Sequence, residues 1–219
     1  MQFGVLGTGM VGRAIAGKLA ARGHAVMMGA RARDNPLAVQ WAAGAGPAAA
    51  QGSFADAAAF APILFNCVNG AHSLAALEAA GRENLRGKIL VDIANPMDYA
   101  RGDPPPLLYC NDDSLGERIQ RAFPDLRVVK TLNTVGYPSM IDGSRIPGEH
   151  DMFMSGNDAA AKAAVAGLLR DEFAWARIID LGDISTARGT EMLMPLFLRL
   201  WQTLGTFDFN IKVVVRPKM

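Results

Sequence analysis

Short apolar runs alternate with stretches of helical periodicity along most of the chain. Residues 2–6 are apolar over the length of a strand. Residues 10–22 then place Val11, Ala14, Ile15 and Leu19 on one helical face, Gly23 supplies a stop, and residues 25–28 turn apolar again. Strand, glycine-rich turn, helix and strand in that order predict a βαβ unit with parallel strands. The alternation continues with a helix over 36–44, a short strand over 47–50 and a helix over 54–60 capped by Ser53. Next come strands over 63–68 and 88–94 with a helix over 73–80 between them, and a proline-rich loop over 103–111. A helix opened by the Ser114/Glu117 capping pair and a strand over 126–131 complete this part. Past Gly136 the pattern thins to a strand over 151–155, a helix over 158–173, a strand over 177–181 and an apolar helix over 186–204, which Pro195 should kink. Strands alternating with helices predict an α/β fold, a Rossmann-type doubly wound parallel sheet with a small C-terminal α/β extension.

Composition narrows the class without changing this outline. Half of the 219 residues are hydrophobic, a fifth are charged, and the net charge is +1 with no basic stripe, so nucleic acid is not an expected partner. Cys67 and Cys110 stand alone, outside any CxxC or histidine cluster, and neither a disulfide framework nor a metal site is expected. No apolar run approaches the ~20 residues that span a bilayer, and the chain runs directly into its first strand without a leader pattern. The expected location is the cytoplasm, with no membrane partner.

The chemistry enters at the first turn. Gly7, Thr8, Gly9, Met10, Val11 and Gly12 spell GxGxxG between a strand and a helix, the context in which that pattern binds a dinucleotide. Gly7 permits the tight turn, Gly9 lets a diphosphate approach the backbone, and Gly12 lets helix and strand pack closely. The helix start offers unpaired amides and positive partial charge to the anion. The end of the second strand selects the cofactor. An acid there would bind the ribose hydroxyls of NAD; this chain has Arg31 and Arg33 instead, which suit the 2′-phosphate of NADP(H), with the Thr8 hydroxyl as a possible addition. Residues 1–145 are thus expected to form an NADP-binding domain, and 146–219 a small substrate and dimerisation segment packed on it. Ligands of such sheets lie beyond the C-terminal strand ends. There the chain places Val68 and Asn69, Asn95 and Pro96, and Asn133 and Thr134, uncharged groups able to meet a nicotinamide and its ribose.

Together these segments resemble the NADPH-dependent oxidoreductases of the deazaflavin coenzyme F420 and the related reductase domains of membrane ferric reductases. The resemblance is carried by GTGMVG at 7–12, Ala30-Arg31, VDIANP at 91–96, VKTLNTVG at 129–136 and the stretch from Leu181 through TEMLMPLFLRL. It implies that Thr8 and Arg31 hold the 2′-phosphate and that Asn133 and Thr134 lie near the two reacting rings. Ala30 stands where the archaeal form carries serine, so the resemblance implies one phosphate hydrogen bond fewer.

Hydride transfer to a deazaflavin or flavin needs orientation more than acid–base help, in keeping with a sequence that shows no paired carboxylates and no nucleophile elbow. No catalytic side chain is assigned; cofactor positioning does the chemistry. Reduction of a small carbonyl or imine is the alternative activity, although the helix from Thr186 carries no lysine. A non-catalytic NADP-binding redox sensor is the other alternative. Met192, Leu193, Leu196, Phe197, Leu198, Leu200, Trp201 and Leu204 make the last helix apolar on every side, which predicts a homodimer with this region near the interface.

Overall fold

In this computed structural model, which describes residues 1–216, the predicted alternation closes into one sheet. The strands are β1 (Gln2–Leu6), β2 (Ala25–Ala30), β3 (Ala49–Ser53), β4 (Ile63–Asn66), β5 (Ile89–Asp92), β6 (Arg127–Thr131), β7 (Met152–Gly156) and β8 (Ile178–Asp180), in the order β3-β2-β1-β4-β5-β6-β7-β8. The helices are α1 (Met10–Ala21), α2 (Pro36–Gly44), α3 (Phe54–Phe60), α4 (Ser73–Ala80), α5 (Arg82–Leu85), α6 (Leu115–Ala122), α7 (Tyr137–Met140), α8 (Ala159–Phe173), α9 (Ala187–Met192) and α10 (Met194–Leu204).

From β1 the chain builds outward in one direction through β2 and β3, then returns to build the other way through β4, β5 and β6, all parallel. The reversal puts a crevice at the C-terminal ends of β1 and β4, where α/β sheets bind ligands. Residues after 145 extend the same sheet: β7 pairs antiparallel with β6, and β8 runs parallel to β7.

Alternation along the strands sorts apolar side chains to two faces, each covered by helices. Phe3, Val5, Phe65, Val91 and Val129 pack beneath α1 and α8 through Ile15, Leu19, Val165 and Leu169. Leu6, Leu64, Leu90 and Val128 pack beneath α3, α4 and α6 through Ala57, Leu77 and Ile119. Local chemistry starts the helices where the sequence suggests. Ser53 and Asp56 form a reciprocal capping box on α3, Ser114 accepts from the Glu117 amide at α6, and Asp158 accepts from the Ala161 amide at α8.

Most strand ends shift by one to three residues from expectation, and two differences have a plain physical cause. The third strand lies at Ala49–Ser53 rather than 47–50, because its pairing register with β2 begins at Ala49 opposite Val26. The apolar stretch over 186–204 is two helices, broken at Leu193. Pro195 has no N–H for the Glu191 carbonyl and its ring crowds that turn, so the chain restarts with proline in the first turn of α10. Phe197 is the buried residue of α10, while Leu196 and Leu204 are 51% and 54% exposed. No helix among the described residues is long and apolar enough to cross a membrane.

Candidate functional site

Tight packing of the first turn explains two of its glycines. Gly7 has φ +119, and a Cβ there would lie 2.7 Å from the Cys67 carbonyl oxygen. A Cβ on Gly12 would lie 2.1 Å from the Gly7 carbonyl oxygen, so α1 can seat on the turn only without one. Gly9 is different: a Cβ there meets nothing within 4 Å, because its outer side faces open space. Gly9 is also the N-cap of α1, with no capping side chain and no acid in the first turn. The first helical bond runs from the Arg13 amide to Gly9, which leaves the amides of Met10, Val11 and Gly12 for an external acceptor. The Met10 side chain is exposed, and Val11 packs against the core beneath α1.

A cleft of about 380 Å³ opens over this turn, lined by Gly7, Thr8, Gly9, Ala30, Arg31, Asn35, Phe54, Cys67, Val68 and Asn69. Arg31 stands exposed at its rim and, among the described residues, has no carboxylate partner. Arg33 lies two residues on but is engaged elsewhere, with Nη2 2.6 Å from Asp56 Oδ1. The Ser53 hydroxyl and amide, with Arg33 as a lesser contributor, hold the Asp56 carboxyl below the usual carboxylate range. Asn35 and Phe54 were not singled out from the sequence. They join the rim because Asn35 caps α2 after the turn that follows β2, and Phe54 opens α3 directly after β3. Burial pushes the Cys67 thiol up, and the nearby Asp92 carboxylate adds to the shift, which favours the neutral thiol in the cleft wall.

The predicted nicotinamide end is a wired structure. Asn95 Nδ2 donates to the Asn133 carbonyl at 2.9 Å, and Asn133 Nδ2 donates back to Asn95 Oδ1 at 3.0 Å. Leu132, buried and in the left-handed region at φ +62, turns Asn133 toward this partner. The side-chain oxygen of Asn133 keeps no partner from this pair, and the buried Thr134 Oγ1 has no hydrogen-bond partner among the described residues. The next loop is held close: a Cβ on Gly70 would lie 2.2 Å from the Asn95 carbonyl oxygen. Asn69 turns its own side chain back onto the Ala71 amide at 3.0 Å.

Behind these loops lies a charge network that the sequence reading did not identify. Lys130 Nζ sits 2.9 Å from Asp92 Oδ2 and 2.8 Å from Glu191 Oε1, with all three side chains buried. Asn66 Nδ2 donates to Asp92 Oδ1 at 2.8 Å and lies 2.9 Å from Ser73 Oγ. Glu191 accepts the amides of Leu115 and Gly116 at 2.8 and 3.1 Å, so it caps α6 from a distant part of the chain. Burial pushes the Glu191 carboxyl above its ordinary value despite the lysine. At Lys130 burial opposes the charge, but Asp92 and Glu191 overcome it, and the ammonium is held above its usual range. A lysine inside the apolar run VVKTL was the one sequence signal for this network. Among the described residues no cluster of His, Cys, Asp and Glu is arranged to hold a metal.

The residues fit a dinucleotide: an unfilled helix start, an open approach over Gly9 and an unpaired arginine are acceptors' counterparts left without one. Comparison with known proteins agrees with this geometry. The family profile described as NADP oxidoreductase coenzyme F420-dependent matches residues 2–96. The solved structure of a candidate F420-dependent NADP reductase from Arthrobacter sp. FB24 is 53% identical, covers 98% of this chain and 100% of its own, and superposes with a TM-score of 0.94. The F420-dependent NADP reductase of Methanocaldococcus jannaschii is 33% identical over 120 residues, 54% of this chain and 53% of its own length. The rat metalloreductase STEAP3 is 29% identical over 202 residues, 92% of this chain and 38% of its own. The chain therefore aligns with about half or less of the length of these two relatives.

Proposed function

The chain belongs to the coenzyme F420-dependent NADP oxidoreductase family, and from that premise we propose that it transfers hydride between NADP(H) and a deazaflavin- or flavin-type acceptor. The carrying observation is Arg31, an arginine without a carboxylate partner among the described residues, at the rim of a cleft floored by the GxGxxG turn. A guanidinium free of a protein partner is available to a 2′-phosphate, where it forms charge-assisted hydrogen bonds that a ribose hydroxyl cannot match.

In this reading the amides of Met10 to Gly12 and the α1 dipole hold the diphosphate, with Gly9 leaving the approach clear. Arg31 and Thr8 hold the 2′-phosphate. Arg33 contributes less, since Asp56 already occupies it. Val68, Asn69, Pro96 and the Asn95–Asn133 pair shape the nicotinamide end, with the Asn133 side-chain oxygen and Thr134 Oγ1 as its unspent hydrogen-bonding groups. When bound, the reduced cofactor supplies a hydride from the nicotinamide C4. The protein's part is to fix the ring plane and exclude water, and no side chain must exchange a proton for that step. The proposed compartment is the cytoplasm, which suits two unpaired cysteines, Cys67 and Cys110. The apolar face that α10 shows to solvent, Leu196 and Leu204 with Met192 beside them, supports a homodimer, and gel filtration at the mass of a single chain would overturn that part.

The test of function is a fluorescence titration with NADPH and NADH, followed by turnover of NADPH with F420-type deazaflavin, free flavin, ferric chelate and small imine or carbonyl acceptors. Tight NADPH binding with deazaflavin or flavin reduction is expected. Turnover confined to imines or carbonyls, or tight binding with no turnover on any acceptor, overturns the acceptor assignment.

A further inference from the structure

Asn66, Asp92 and Lys130 form one row across three strands. Asn66 is in register with Asp92 between β4 and β5, and Asp92 with Lys130 between β5 and β6. These strands lead into the loops that carry Val68 and Asn69, Asn95 and Pro96, and Asn133 and Thr134. Each member of the row also holds a loop by its backbone. Asn66 Oδ1 accepts the Val68 amide at 3.3 Å, Asp92 Oδ1 accepts the Ala94 amide at 3.3 Å, and Lys130 Nζ donates to the Ala94 carbonyl, one residue before Asn95. Glu191 closes the row from α9 by bonding Lys130 and the first amides of α6.

A buried ionic cluster of this kind is an inefficient way to gain stability. Well-packed apolar residues of similar volume commonly do as well or better, and the best use of buried charge is to specify one arrangement among several. Here the arrangement specified is the spacing of three loop ends. The strained Leu132 backbone lies directly beside Lys130 and Thr131, where such strain persists only if its surroundings hold it.

We propose that Asp92, Lys130 and Glu191 are positioning residues for the nicotinamide half of the site: they set the Ala94–Asn95 backbone, and through it the Asn95–Asn133 pair, while taking no part at the Arg31 end. This rests on the NADP(H) reading above. It also explains why segments far apart in the chain, VDIANP, VKTLNTVG and TEMLMP, belong together: each supplies one charge of the same cluster.

The experiment compares two probes that share the adenosine half. The probe 2′,5′-ADP carries the 2′-phosphate but no nicotinamide, whereas NADPH carries both. In Glu191→Gln, and in the double variant Lys130→Met/Glu191→Gln that removes opposite charges together, 2′,5′-ADP affinity should stay within about twofold of wild type. NADPH affinity should fall on the order of tenfold, about 1.4 kcal/mol. Circular dichroism establishes that each variant is folded. Equal losses for both probes, no loss for either, or failure of both variants to fold would mean a purely structural cluster and overturn the inference. The wild-type titration separates the two levels: a wild type that prefers NADPH over NADH leaves the functional reading standing whatever the variants do.

Discussion

In the cleft beside Arg31 the helix-start amides and the guanidinium are left unspent, whereas around Asn133, which is not among the residues lining that cleft, the protein has spent nearly all its polar groups on itself. Among the described residues, the α1 amides, the Arg31 guanidinium and the space over Gly9 have no protein counterpart. By contrast, Asn95 and Asn133 hold each other, and behind them Asn66, Asp92, Lys130 and Glu191 form a closed network. The difference matches the two tasks of a dinucleotide site. Anchoring phosphates is a matter of affinity, and donors that only the ligand satisfies make the largest difference between bound and free. Holding a reactive ring is a matter of geometry, which requires groups already fixed before the ligand arrives. The groups left open near Asn133, its side-chain oxygen and Thr134 Oγ1, belong to buried residues.

Variants can break this contrast or sharpen it, and the largest effect belongs to the turn that joins the two ends. Gly12→Ala drives a Cβ to 2.1 Å from the Gly7 oxygen. Overpacking of that order should cost about 3 kcal/mol and abolish binding of every dinucleotide, read from a denaturant midpoint and an NADPH titration. Arg31→Ala comes next. Loss of charge-assisted bonds worth roughly 1.5–3 kcal/mol should weaken NADPH about 10–100-fold and leave NADH unchanged. Equal loss of both cofactors would mean that Arg31 shapes the cleft and does not read the phosphate. Gly9→Ala should separate binding from folding. Its backbone, at φ −71, accepts any side chain and its Cβ meets no neighbour, so stability should change by less than about 0.5 kcal/mol while NADPH weakens about tenfold. Arg33→Ala should be milder, roughly fivefold at most, because Asp56 already engages that guanidinium.

The smallest effect is a pH dependence at the wired end. Arg188 grips Glu117 with Nε at 2.9 Å and Nη2 at 2.6 Å, tying α9 to α6. The Arg188 fork, together with the Ser114 hydroxyl and against the cost of burial, holds the Glu117 carboxyl below its ordinary value. A depressed carboxyl contributes stability above its unfolded pKa and loses it as pH falls through the folded one. A denaturant series from pH 6 downward should therefore show stability declining on the acid side of the usual glutamate range, with a shallower decline in Arg188→Ala. An unchanged slope in that variant would remove the tie between α9 and α6 from the account.

Much of the proposed phosphate end is readable from the sequence, because its chemistry is local. The glycines of the turn, the helix they open and Arg31 lie within residues 7–31, and the meaning of each follows from spacing in one βαβ unit. The proposed nicotinamide end is readable only as a set of loops. Asn95 and Asn133 were recognisable as polar residues after apolar strands, but their mutual bonding depends on β5 and β6 being neighbours and on the αL turn at Leu132. Arg33 shows the converse limit: the sequence offers it beside Arg31 as a second, weaker candidate, and the arrival of Asp56 from α3 is what engages it.

The amino-acid order alone determined the elements, the α/β alternation and the glycine turn that opens α1, since periodicity, capping and backbone freedom act over a few residues at a time. Tertiary structure decided which loops meet, which arginine stays free and that Asp92, Lys130 and Glu191 share one buried cluster. Those outcomes depend on pairings between strands and helices tens of residues apart, and charges become partners only when folding removes the water between them.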